Sequence, residues 1–212
     1  MFNRSAIVRT TLSLFKCCSA AALLCAAAAA QADITVYTSQ AAFLAAVQAP
    51  GVDTYDDLTI MNYGESLDRT AGAYAYNVYS ATGLYGAGGP TDHWLSNNTA
   101  VNPIVFSHFG GGVSAFGGNF FASDVAGQFT TGNLILTAID GSVVTYSLQN
   151  PLTTDFLGFV SDTPLAAVTL GTFGEIAWPT ANNVVLAVPE PSAYGMLLAG
   201  LGFVGLMSRR RS

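Results

Sequence analysis

Acidic oxygens are the main chemical resource of this 212-residue chain, which carries thirteen Asp and Glu but only two His. Asp53, Asp56 and Asp57, followed by Glu65 and Asp68, are hard ligands of the kind Ca²⁺ takes. Their spacing matches no calcium loop. On a strand, Asp53 and Asp57 share a face while Asp56 points away, so solvated carboxylates are the favoured reading, and a structural calcium is the one cofactor considered. A nucleophilic hydrolase needs a base, and beyond His93 and His108 there is none. Gly-x-Ser-x-Gly does not occur, and two histidines form no transition-metal site without carboxylate help. Glycoside hydrolysis needs only two carboxylates about 5–10 Å apart, drawn from any two strands. A secreted carbohydrate-active enzyme therefore stays open as an alternative. Rings with a polar handle stack on sugar faces. Tyr74 and Tyr76 share one strand face, Tyr79 and Tyr85 lie near Gly-rich loops, and Trp94 follows. Tyr74, Tyr76 and Trp94 are the glycan-contact candidates, against the competing reading that large aromatics fill the core. Trp178, just before Pro179, is ambiguous between the two.

The elements that position these groups form one domain between two targeting segments. Arg4, Arg9 and Lys16, the apolar run Ala20–Ala30 and Ala30-Gln31-Ala32 read as a signal peptide over 1–32, cleaved before Asp33. Cys17, Cys18 and Cys25 all fall inside it, so no disulfide is expected in the mature protein. At the other end stand Pro189-Glu190-Pro191, an apolar run to Met207, and Arg209, Arg210 and Arg211. As a helix this run spans roughly 25 Å, just under the ~30 Å hydrocarbon core. The three arginines act as the membrane stop and place the terminus on the cytoplasmic side. Between signal peptide and arginines, Arg69 is the sole basic side chain against thirteen acidic ones, a charge of about minus twelve. Such a surface repels nucleic acid.

Residues 33–187 read as a mainly β domain. Ile34–Tyr37 is a first strand, and Ser39 caps a short helix bearing Phe43, Leu44 and Val47 on one face and ending near Gly51. Short β-rich runs follow at 52–59, 74–79, 104–109 and 113–121. Leu134–Ile139, Asp140-Gly141 and Val143–Leu148 form a hairpin. Runs at 155–160, 166–170 and 183–187 complete the pattern. The expectation is a single antiparallel β-sandwich, jelly-roll-like, with Thr180–Pro191 as a flexible spacer before a single transmembrane helix.

The order Pro-Glu-Pro, apolar run, arginines over 188–212 resembles the PEP-CTERM sorting signal of Gram-negative exporters, a motif also described as the ice-binding protein C-terminal domain. The resemblance implies an exosortase, a membrane cysteine transpeptidase, as the processing enzyme, with Pro189, Glu190 and Pro191 as its recognition residues. Tyr37–Phe43, Asp53–Leu58, Val113–Phe120 and Phe156–Asp162 are similar to strands of secreted proteins of that kind. The expected protein is an exported, exosortase-processed, non-enzymatic cell-surface or extracellular-matrix protein. Signal peptidase and exosortase are its processing partners, the inner membrane its transient anchor and exopolysaccharide its candidate partner polymer. An ice-binding or other surface-binding protein is a further alternative, although no regular Thr-x-Thr array is present.

Overall fold

The computed structural model describes residues 33–189, Glu175 excepted. The expected signal peptide, Glu190, Pro191, the apolar tail and Arg209 to Arg211 lie outside the described residues. No helix among the described residues is long and apolar enough to cross a membrane.

The domain is mainly β. In chain order it runs β1 (Ile34–Tyr37), α1 (Gln40–Ala45), β2 (Val47–Asp53), β3 (Asn62–Ala71), β4 (Tyr74–Gly89), β5 (Asp92–Asn97), β6 (Ile104–Ser107) and β7 (Ala115–Ser123). It continues with β8 (Phe129–Thr130), β9 (Asn133–Ile139), β10 (Val143–Leu148), β11 (Phe156–Ser161), β12 (Ala167–Phe173) and β13 (Trp178–Pro189). All pairings are antiparallel, in the order β1-β11-β7-β13-β5-β4-β6-β12-β9-β10, with β2 on β13, β3 on β4 and β8 on β7. The expected two separate sheets are replaced by one continuous hydrogen-bonded sheet that curls into a nearly closed barrel. A single bridge, Ala181 to Leu95, joins its two halves between β13 and β5. Both halves line one core, in which Phe116, Phe120 and Phe159 from one meet Val78, Phe106, Leu136 and Val168 from the other.

Local sequence explains most elements. Ser39 caps α1, its hydroxyl accepting from the Ala42 N–H at 3.4 Å. The helix ends at Ala45, short of Gly51, because Val47 is already in β2 and opposite Pro189 of β13. Phe43 alone of its residues is buried, against Tyr37 and Phe156. All nine residues of β7 are buried, which suits a strand covered on both faces.

The larger correction concerns Thr180–Pro189. This stretch is no spacer but most of β13, which pairs with β7, β2 and β5. A bulge between Asn182 and Val185, with Asn183 at φ 49°, lets the strand keep both neighbours across a local irregularity.

The β9–β10 hairpin forms with Val143 opposite Ile139, so its loop is Asp140-Gly141-Ser142. Gly141 takes φ 114°. The Asp140 carboxylate accepts from the Ser142 N–H (2.9 Å) and hydroxyl (2.6 Å), and from the Ser161 hydroxyl of β11. Burial pulls its pKa upward, but the hydrogen bonds from Ser142 and Ser161 prevail and hold it below the usual carboxylate value. A depressed folded-state pKa contributes stability above the unfolded value that is lost as pH falls through the folded one. Asp140→Ala is therefore expected to cost about 1–2 kcal/mol in urea denaturation at pH 7. That deficit shrinks as the pH drops below about 4. An equal deficit at pH 7 and in acid would show that the carboxylate charge is irrelevant to the turn.

Candidate functional site

Where β2 ends, the chain passes from Asp53 into a tight bend. The Asp53 carboxylate accepts the Tyr55 N–H at 3.2 Å, and Tyr55 takes φ 60°. Left-handed backbone is costly for a bulky residue, and the side-chain turn from Asp53 holds it. Tyr55 is thereby driven fully inside.

β3 lies close by and supplies Arg69. Its guanidinium donates through Nε and Nη2 to Asp53 at 2.9 and 2.6 Å, and through Nη1 and Nη2 to Asp57, both at 2.7 Å. The same cation lies over the Tyr55 ring, 5.2 Å from its centroid. From β4, the Tyr76 hydroxyl donates to Asp53 Oδ2 at 2.7 Å. With that proton committed, Tyr55 must donate to Tyr76 across their 2.9 Å contact. Asp53, 5 % exposed, thus accepts four hydrogen bonds and has no lone pair to spare.

The electrostatics follow from this geometry. Hydrogen bonding to Arg69 holds the Asp57 pKa below the usual carboxylate value. Hydrogen bonds to Asp57, then Asp53, raise that of Arg69. Burial pushes both tyrosine hydroxyls up, with the Asp53 charge adding to each.

Asp53 is thus a buried carboxylate and not the solvated surface group expected from the sequence. Asp53 and Asp57 come together, but around a guanidinium that occupies their oxygens. Asp56 is apart from them, its backbone carbonyl 3.2 Å from His93 Nδ1. Among the described residues, no three His, Cys, Asp or Glu side chains are grouped to hold a metal ion.

Asp53, Asp57, Arg69 and Tyr76 border an open groove of about 660 Å³, with Asp68, Asn77 and His108. Its polar groups largely bond one another. Asn77 donates to Asp68 at 2.8 Å and Ser66 at 2.9 Å, and His108 Nδ1 meets the adjacent Ser107 hydroxyl at 3.0 Å. Among the described residues, no carboxylate orients the other His108 nitrogen, as a Ser–His hydrolase would require. The cation is neutralised by two carboxylates, so the groove lacks a clamp for phosphate or carboxylate substrates.

The glycan-contact residues need correction as well. Tyr74 and Trp94 are 8 % exposed and Tyr76 is 2 % exposed. Tyr74 and Tyr76 do share a face, but it is the inner one; Trp94 packs edge-on against Phe121 at 4.8 Å. A ring hidden from solvent cannot receive a sugar. Sequence reasoning missed the role of Arg69, although a lone cation beside an acidic cluster was the available signal.

The family model described as the PEP-CTERM protein-sorting motif matches residues 187–211. The chain carries that sorting motif, which marks an exported protein targeted to an exosortase. A search of the curated proteins finds no significant match. The matched segment begins inside β13, so Ala187, Val188 and Pro189 belong both to the sorting motif and to the sheet.

Proposed function

We propose that the mature protein is a non-enzymatic component of the cell surface or extracellular matrix that contacts exopolysaccharide. The sorting motif over 187–211 carries this reading. Signal peptidase cleaves before Asp33, and the exosortase uses Pro189, Glu190 and Pro191 after the tail has anchored the precursor in the inner membrane. The domain's charge supports contact with a neutral or hydrated polymer rather than a polyanion. The enzyme alternative gains nothing from Asp53 and Asp57, whose oxygens are held by Arg69.

Intact mass and C-terminal peptide mapping of the protein recovered from envelope and medium of its native host test the processing. The expected mature chain starts at Asp33 and ends between Pro189 and Pro191, because an earlier cut would remove residues that β2 pairs with. Glu190→Ala, or deletion of the exosortase, is expected to leave the precursor uncut. Recovery only of chains that retain Arg209 to Arg211 would make the tail a permanent anchor and sink the reading.

A further inference from the structure

A second cavity, apart from the arginine clasp, lies where β4, β5, the start of β13 and the β7–β8 loop converge. It encloses about 200 Å³ and is bordered by Tyr85, Asn97, Asn98, Asp124 and Trp178, with Val125 at its rim. This is smaller than the roughly 300–1,000 Å³ of drug-sized sites, so it suits one small unit.

Part of its polar chemistry is unspent. Tyr85 and Trp178 are half-buried. Among the described residues, neither the Tyr85 hydroxyl nor the Trp178 indole N–H has a hydrogen-bond partner. Among the described residues the exposed Asn98 side-chain amide is likewise unengaged, whereas Asn97 is spent on the fold, its Nδ2 donating to Asn102 O at 2.5 Å and its Oδ1 enclosed without a partner. The opposite arrangement holds for the supporting loop. Asp124 Oδ1 accepts the N–H groups of Ala126 and Gln128, both at 2.9 Å. Gln128 Nε2 donates to Gly88 O at 2.9 Å, and Gly88 N to Gly127 O at 2.9 Å. The wall is therefore fixed before any ligand arrives, which spares the ordering cost of binding.

Aromatic rings with free polar heads, next to amides and one carboxylate and with no cation, match a neutral polyhydroxylated ring. Such a ring would lay its apolar C–H face on the aromatic side chains and turn hydroxyls to the Asn98 amide and Asp124. We propose that this pocket holds a single neutral sugar unit of a polysaccharide chain. The proposal rests on the matrix reading above and gives it a site, moving glycan contact from the buried Tyr74, Tyr76 and Trp94 to Tyr85 and Trp178.

The test is calorimetric titration of the protein recovered from its native host with dextran, mannan, galactan and chitin oligosaccharides, with oligogalacturonate as the anionic control. Saturable binding of at least one neutral oligosaccharide is expected, weakened about tenfold by Tyr85→Ala or Trp178→Ala. Asn98→Ala, at an exposed position outside the strands, weakens it with an unchanged circular dichroism spectrum. No neutral binding by the folded wild type, a preference for oligogalacturonate, or binding by all three variants as tight as that of the wild type overturns the pocket. Wild-type binding that the variants leave intact sinks the pocket alone, whereas failure of the mass mapping sinks the export reading whatever the sugars do.

Discussion

Replacing Arg69 by Met is expected to lower the unfolding free energy by about 3–5 kcal/mol, the usual consequence of removing one partner from a buried ion pair. The loss comes mainly from Asp53. Its carboxylate is 5 % exposed and would keep only the Tyr76 hydroxyl and the Tyr55 N–H. Asp57, whose side chain is 66 % exposed, is rehydrated easily. Asp57→Ala should therefore cost no more than about 1 kcal/mol. Because the Asp57 pKa is depressed in the folded state, its contribution is present at neutral pH and disappears on acidification below the ordinary carboxylate range. Adding Asp53→Asn to Arg69→Met should recover part of the deficit, since the second change removes the stranded charge. Urea unfolding of the wild type, Arg69→Met, Asp53→Asn and the double variant forms a double-mutant cycle. Additive losses would mean that Arg69 and Asp53 are not energetically coupled, contrary to the geometry.

Gly51→Ala is the second large effect. Gly51 of β2 meets the β3–β4 turn, where Gly72 takes φ 58°. A methyl on Gly51 would lie 2.0 Å from the Ala71 carbonyl oxygen and 2.6 Å from its carbon. Backbone cannot yield as a side-chain tip does, so β2 must shift away from the turn at a cost of about 3 kcal/mol. The same shift would pull at Leu186, the register partner of Gly51 on β13. Gly89→Ala is the control, since a methyl there meets nothing within 4 Å, and a change under about 0.5 kcal/mol is expected. Equal melting of the two variants would show that β2 and the turn are not in contact.

Where local pattern and tertiary context agree, the fold was legible from sequence. The β9–β10 hairpin is such a case, because Asp140-Gly141 supplies the turn and the flanking runs alternate between inside and outside. β3 was invisible, since its exposed, polar run Asn62–Ala71 is an edge strand held by β4 rather than by its own burial. β13 is legible only in part: the run 183–187 reads as a strand, and that strand forms, while Pro179, Asn182-Asn183 and Pro189 look like linker chemistry and hide the rest of it. The residues between them are nevertheless buried, and the bulge at Asn182–Val185 absorbs the misfit. The same limit applies to the site. The sequence exposes Arg69 as the lone cation between the expected signal peptide and the terminal arginines, and Asp53 and Asp57 as neighbouring acids. That β3 lies against the end of β2 is a property of the folded sheet. The shared face of Tyr74 and Tyr76 follows from strand periodicity, but which side of the sheet it covers does not.

The overlap of β13 with the sorting motif bears on when this domain can form. Strands β2, β5 and β7 are all made and delivered before the strand that joins them, so these long-range pairings wait for residues 178–189. Such late, non-local closure is slow and leaves strand edges open in the meantime. An exported chain whose translocation stalled before Trp178 would present those edges with no partner from its own sequence. Completion of the sheet is thus tied to arrival of the first residues of the segment that addresses the chain to its processing enzyme, and delivery through Pro189 becomes a condition of folding.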